Sequence, residues 1–262
     1  MNKRGNSGGE DARGSGARTI VLLRSIAEGE PEFTLSALSQ KLKLSPSTVH
    51  RLLRALTTMG LVERTPSQSY RIGSEFFRIA ALVEGKFEIG RVARPYLHEL
   101  WKLSHETCAF GLYRPASHAV MIAEVVHTSF PLRYVIERLT TLSLTWGSLG
   151  RAILANLPDN EFEAAYAVSS TGPLSGRPLP SRQELRAALG EIRKRGYAVY
   201  EDRTRLEVAG VAAAVFNAGA NVVGAIGMMM PLSRFEKYPL AKLGSSVVTH
   251  ARLMSESLGF ES

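Results

Sequence analysis

TLSALSQKLKLSPSTVHRLLRALTTMGLVERTPSQSYRIG, residues 34–73, decides how the N-terminal part of this chain folds. Thr34 stands where a helix start needs a cap, because its hydroxyl can accept from a first-turn amide that has no other partner. Leu35, Leu38 and Leu42 then recur at helical spacing and predict a short helix ending near Lys43. Ser45 followed by Pro46 starts the next helix, the serine as cap and the proline preset for the first turn. Val49, Leu52, Leu53 and Leu56 form one apolar stripe on the way to Gly60, which leaves Ser47, His50, Arg51 and Arg54 on the other side. LVERTPSQSYRIG, residues 61–73, reads as two short strands around a turn at 65–69. A short helix, a tight turn, a second helix and a hairpin make a winged helix-turn-helix.

Working upstream, Ile20, Leu22, Leu23, Ile26 and Ala27 give a first helix from Arg18 to Gly29. Residues 1–17 are Gly, Ser and charge, with too little apolar surface to offset ordering, so they read as a disordered tail whose Lys3, Arg4 and Arg13 are solvated. They form neither a signal peptide nor a membrane span. Downstream, residues 74–85 carry Phe76, Phe77, Ile79, Ala80 and Val83 as a helical apolar face with nothing of its own domain left to cover, which predicts a linker helix that dimerises or meets the second domain. Residues 86–262 begin with a long amphipathic helix. Strand-like runs follow at 108–113, 120–126, 132–136, 197–201, 208–216 and 222–230, interrupted by helices at 148–157, 161–168 and 182–195, with a final helix at the end. Strands broken by helices predict an α+β domain with helices on an antiparallel sheet.

A helix that enters the major groove reads bases from its first turns, so Ser47, Thr48, His50 and Arg51 face DNA, and Arg51 or Arg54 is suited to the edge of a guanine. Lys41, Lys43, Arg64, Arg71 and the cap residues Thr34 and Ser45 are placed to hold phosphates and set register, and Gln68 is a further DNA-contact candidate. A net charge of +8 agrees with a polyanionic partner. The lone cysteine, Cys108, permits no internal disulfide and fits a reducing cytoplasm. No 18-residue apolar run is present, so no membrane partner is expected.

The same residues, with LSLTWGSLGRAILA (142–155), RGYAVYEDR (195–203) and GVAAAVFNAGANVVGAIGMMMP (210–231), resemble the IclR family of bacterial transcription regulators over nearly the whole chain. The resemblance implies a homodimer or dimer of dimers on a near-palindromic double-stranded operator, with a GAF-like second domain that binds a small organic effector. It places the effector pocket at Trp146, Gly147, Ser148, Leu149, Tyr200, Gly210, Gly227 and Met229, with Leu142 beside them. The start of the helix at Gly147 presents free amides to which a carboxylate can dock, with Ser148 as hydroxyl donor and Arg133 as another anchor.

The departures from the family are informative too. Members that bind small acids often carry Cys at the position of Gly210, Asp at Tyr200, and Ser at Gly227 and Met229. The less polar set here suits an aromatic or otherwise bulky carboxylic acid. Arg151 stands where the family commonly has Lys.

No enzyme is expected. Residues 147–150 fall one residue short of a nucleophile elbow, and the phosphate-loop-like spacing at 219–224 lacks its lysine and reads as a hairpin turn. His98, His105 and Cys108 are too loosely spaced for a convincing metal site, and no cofactor is expected. The alternative to a ligand-controlled regulator is a ligand-independent DNA-binding repressor whose C-terminal domain only oligomerises.

Overall fold

The computed structural model describes residues 14–84, 88–172, 176–203 and 207–261, without the side chains at 15, 81, 83, 84 and 88. Lys3, Arg4 and Arg13 of the tail and the Val83 side chain lie outside the described residues. The chain divides into two compact units between Phe87 and Glu88.

The first unit holds α1 (Ser15–Ala27), β1 (Glu32–Phe33), α2 (Leu35–Leu42), α3 (Pro46–Thr58), β2 (Val62–Arg64), β3 (Tyr70–Ile72) and α4 (Ser74–Glu84). Leu22 and Ile26 of α1, Leu38 of α2, the stripe Val49, Leu52, Leu53 and Leu56 of α3, and Val62 of β2 close into one core. α1 starts at Ser15, ahead of the Arg18 at which the apolar period becomes legible, because Gly16 and Ala17 add little to the stripe. β1 was not expected. It pairs antiparallel with β3 through Glu32↔Arg71 and Phe33↔Tyr70, so the wing is a three-stranded sheet of order β1-β3-β2. Two residues are too few to show a strand period, and the contact that recruits them is tertiary: Phe33 stacks on Tyr70 at 6.3 Å. The hairpin leaves α3 through Gly60, which has a φ of 71°, and returns at Gly73, where a Cβ would lie 2.2 Å from the Gly60 carbonyl oxygen. Phe77, Ile79 and Leu82 of α4 are exposed.

The second unit runs α5 (Glu88–Ser104), β4 (Thr107–Arg114), β5 (Ala119–Val126), β6 (Thr141–Ser143), α6 (Gly147–Leu154), α7 (Asp159–Ala167), α8 (Arg182–Arg195), β7 (Ala198–Asp202), β8 (Val208–Phe216), β9 (Val222–Pro231), α9 (Leu232–Phe235) and α10 (Leu240–Ser257). The strands form one antiparallel sheet of order β6-β5-β4-β9-β8-β7. α5 and α10 pack against one face, and α6 lies on the other with α8 behind it. The α6 face is built from small residues, Ala109 and Gly111 on β4, Gly210 and Ala212 on β8, and Ala225 and Gly227 on β9. This lets the helix approach the sheet closely. Residues 217–221 are a hairpin turn between β8 and β9, closed by Asn217 N to Asn221 O at 3.0 Å.

Residues 132–136 are not the expected strand. Their alternation is real, since Tyr134 and Ile136 turn inward while Arg133 and Val135 are exposed. The edge of β5 is instead taken by β6, through Ala119↔Ser143, Val120↔Leu142 and Met121↔Thr141. The segment before β6 is therefore an extended cover, held by Thr107 Oγ1 donating to Tyr134 O at 3.0 Å. No described helix is long and apolar enough to cross a membrane.

Candidate functional site

The first candidate site is the exposed side of α3. Thr34 caps α2 by accepting from Ala37 N at 3.2 Å, and Ser45 caps α3 by accepting from Thr48 N at 3.3 Å. Between them the turn passes through Lys43 at a left-handed φ of 52° and is tied by Ser39 Oγ donating to Leu44 O at 2.6 Å. Ser45 Oγ also lies 3.1 Å from Ser47 Oγ and 2.8 Å from Thr48 Oγ1, so these hydroxyls form one cluster at the helix start. Ser47, His50, Arg51 and Arg54 are exposed, as is Lys41 on α2. On the wing, Gln68 adopts a left-handed φ of 65° and accepts from Arg64, while Arg71 Nη2 pairs with Glu63 Oε2 at 2.9 Å. Arg64 and Arg71 thus already have partners within the hairpin.

The second site is a cavity of about 470 Å³ in the C-terminal unit, at the end of the sheet where β7, β8 and β9 meet the start of α6. It brings together Leu142, Trp146, Gly147, Ser148, Leu149, Tyr200, Gly210 and Met229. Gly227 is not among its lining residues. It lies one pleat further along β9, where a Cβ would come within 2.7 Å of Ala212 Cβ, under the closely packed part of α6. Met229 keeps its place because side chains on a strand alternate, which turns Met228 and Met230 to the opposite face. Arg133 is exposed, away from the lining, and its Nη1 donates to Phe130 O at 3.4 Å.

α6 starts without a side-chain cap, since Trp146 has none to offer. Trp146 is fixed by its indole N–H donating to Ser170 O at 3.1 Å. Ser148 is buried, and Gly210 makes room for its hydroxyl: a Cβ there would lie 2.6 Å from Ser148 Oγ. The remaining wall comes from the cover segment, with Tyr134, Ile136 and Glu137, and from Thr140, Thr141 and Ser143. The sequence reading missed Tyr134 and Ile136 because it spent their alternation on a strand. Burial, and then the neighbouring Tyr200, push the Tyr134 phenol above its ordinary pKa. Cys108 is buried with its thiol pushed up to about 12, chiefly by desolvation. Among the described residues no group of three His, Cys, Asp or Glu is placed to hold a metal ion.

The profile described as "IclR helix-turn-helix domain" matches residues 15–66, and that described as "Bacterial transcriptional regulator IclR C-terminal" matches residues 82–256. The HTH-type transcriptional regulator BhcR of Paracoccus denitrificans is 26% identical over 258 residues, covering 96% of this chain and 91% of the relative. The crystal structure of an IclR transcriptional regulator from Silicibacter sp. TM1040 superposes with a TM-score of 0.79 at 25% identity, covering 95% of this chain and 97% of that one. An IclR homologue from Microbacterium hydrocarbonoxydans, solved in complex with 4-hydroxybenzoate, shares the fold at a TM-score of 0.73 and 17% identity, covering 94% of this chain and 99% of that one. The Paracoccus and Silicibacter proteins are described as transcriptional regulators. With a helix-turn-helix in the first unit and the matched C-terminal domain in the second, the chain belongs to the IclR family of bacterial DNA-binding transcription regulators.

Proposed function

We propose that this chain is a cytoplasmic regulator that binds a near-palindromic operator as a homodimer or dimer of dimers, and that an aromatic or otherwise bulky carboxylic acid bound in the cavity sets its operator affinity. The observation that carries the effector reading is the cavity itself. Its walls are largely apolar and include the rings of Tyr134, Trp146 and Tyr200, and it opens on the uncapped start of α6 beside the buried Ser148. Rings suit a flat apolar body, while free first-turn amides and a hydroxyl suit a carboxylate. The 4-hydroxybenzoate held by the Microbacterium homologue belongs to the same ligand class.

On the DNA side, Arg51 and Arg54 read base edges while Lys41, Lys43, Arg64 and Arg71 meet phosphates. The exposed Arg71–Glu63 pair is worth at most about 1 kcal/mol, so Arg71 can exchange Glu63 for a phosphate at small cost. A ligand changes operator affinity only by binding two arrangements of the regulator unequally. We place that coupling in α4, whose exposed Phe77 and Leu82 face no partner in their own unit.

Two measurements test this reading. In fluorescence anisotropy on DNA upstream of the chain's own gene, Arg51→Ala is expected to cost about 1–3 kcal/mol and to relax the preference at one base pair. Arg71→Ala weakens all sequences alike and lowers the salt slope by about 1. Equal binding of operator and scrambled DNA by the unsubstituted chain would end the sequence-specific reading. In isothermal titration of the full chain, benzoate is expected to bind more tightly than acetate. The reverse order overturns the aromatic class, and binding of neither favours the ligand-independent repressor.

A further inference from the structure

Among the described residues that line the cavity, Glu137 alone carries a charge. It belongs to the cover segment, and the backbone on both sides of it is pinned. Ile136 before it is buried, and Arg138 after it donates from Nε to Ala123 O on β5 at 3.2 Å. The Glu137 carbonyl accepts from Thr140 N at 3.3 Å, and Leu139 N donates to Ile122 O at 2.7 Å, which fixes the turn into β6. Glu137 is exposed and yet lines the cavity, so its carboxylate stands at the rim. No described residue pairs with that carboxylate, and none hydrogen-bonds to the hydroxyls of Tyr134 and Tyr200, which also line the cavity. Burial, and then Tyr200, push the Tyr134 phenol up, so it stays an uncharged donor. Arg151, with its guanidinium carbon 5.7 Å from the centre of the Tyr200 ring, does not line the cavity, and its Nε donates to Thr145 O.

The cover and the neighbouring Tyr200 therefore present two neutral phenols and one carboxylate, with no lining cation. An uncharged substituent such as a hydroxyl or an amide can donate to Glu137 and exchange hydrogen bonds with the phenols. A second carboxylate would meet Glu137 as a like charge with no counter-ion, and an uncompensated charge of this kind is how a site rejects a competitor.

We infer that Glu137 is a specificity-determining residue, restricting the effector to a monocarboxylate whose other polar group is an uncharged hydrogen-bond donor and rejecting dicarboxylates. This rests on the cavity being the effector site. It goes beyond the acid-binding end of the cavity, because the start of α6 by itself gives no reason to prefer one carboxylate on the ligand over two.

The test is isothermal titration of the full chain and of Glu137→Gln, which keeps the shape of the side chain and removes its charge. The probes are terephthalate and isophthalate, each beside its half-amide, which has the same size and one charge fewer; the two ring positions keep the result from depending on where the substituent points. The unsubstituted chain is expected to bind at least one half-amide about tenfold or more tightly than its diacid, a modest share of the cost of juxtaposed like charges because the rim is solvated. Glu137→Gln is expected to close most of that gap by strengthening the diacid. Such a gain of affinity cannot come from misfolding. Equal binding of diacid and half-amide by the unsubstituted chain overturns the role of Glu137, and so does a gap that persists in Glu137→Gln. Binding of benzoate with none of the four probes overturns that role alone, since the cavity then selects by size. An unsubstituted chain that binds neither benzoate nor any probe overturns the cavity as an aromatic-acid site, and the role of Glu137 with it.

Discussion

Replacing Arg234 by methionine is expected to lower the stability of the C-terminal unit by about 3–5 kcal/mol, the cost of removing one partner from a buried ion pair. Glu106 is 0% exposed, and its two oxygens accept from Arg234 Nε at 2.5 Å and Nη2 at 2.7 Å. Without the guanidinium, a carboxylate is left in the interior with no counter-charge. Arg234 also donates from Nη1 to Leu132 O at 2.9 Å, and its guanidinium carbon lies 4.7 Å from the centre of the Phe130 ring. The same side chain therefore holds the segment that carries Tyr134 and Ile136 over the cavity. The loss should appear in urea unfolding as a lower midpoint, and in titration as weaker benzoate binding. Adding Glu106→Gln should return part of the stability and none of the binding. A loss below about 1 kcal/mol would place the pair among surface bridges and remove the argument.

Gly150→Ala and Gly190→Ala make the second expected result, since the same substitution in two helices should move stability in opposite directions. On α6, a Cβ at residue 150 would lie 2.2 Å from Ser143 O and 3.0 Å from Leu144 Cα, both backbone atoms that can yield only by moving β6 or the helix. The expected cost is about 1–3 kcal/mol, as for overpacking in general. It falls on the joint that positions Trp146 and Ser148, so ligand binding should drop too. On α8, a Cβ at residue 190 meets nothing within 4 Å, and alanine is the better helix former, so a gain of about 0.5–1 kcal/mol is expected. Thermal melts of the two variants beside the unsubstituted chain decide the matter. A stable Gly150→Ala would mean that α6 does not press on β6 as described.

The DNA-facing half of the chain was legible because its signals are local. Thr34, Ser45 and Pro46 mark helix starts by chemistry that acts within three residues, and the Val49-to-Leu56 stripe shows which side of α3 is buried and which is free. The wing was legible as a hairpin but not as three strands, because Glu32 and Phe33 become a strand only through their long-range pairing with β3. The capping box of Ser181 and Glu184 fits the same rule, as the start of α8 at Arg182 was read correctly.

The cavity was legible in part, and for a different reason. The residues at the start of α6 and on β7, β8 and β9 were reached through the family resemblance, which carries register information that a single sequence lacks. Gly227 shows the limit of that route, since a one-pleat offset along β9 takes it from the cavity to the close-packed face beside Ala212. Tyr134 and Ile136 show the other limit. Alternating burial looks the same in a strand and in an extended cover, and only the contest for the edge of β5, won by Thr141–Ser143, separates them.

By itself, then, the sequence determined the helices and their caps, the buried stripe of α3, most strands of the α+β domain and the family to which the chain belongs, because each is written in short-range periodicity or ordered motifs. Tertiary structure alone decided the three-stranded wing, the cover over the cavity and the burial of Glu106 against Arg234. Those features join residues far apart in the chain, and their free energy depends on which backbone reaches a shared edge or excludes water from a shared charge.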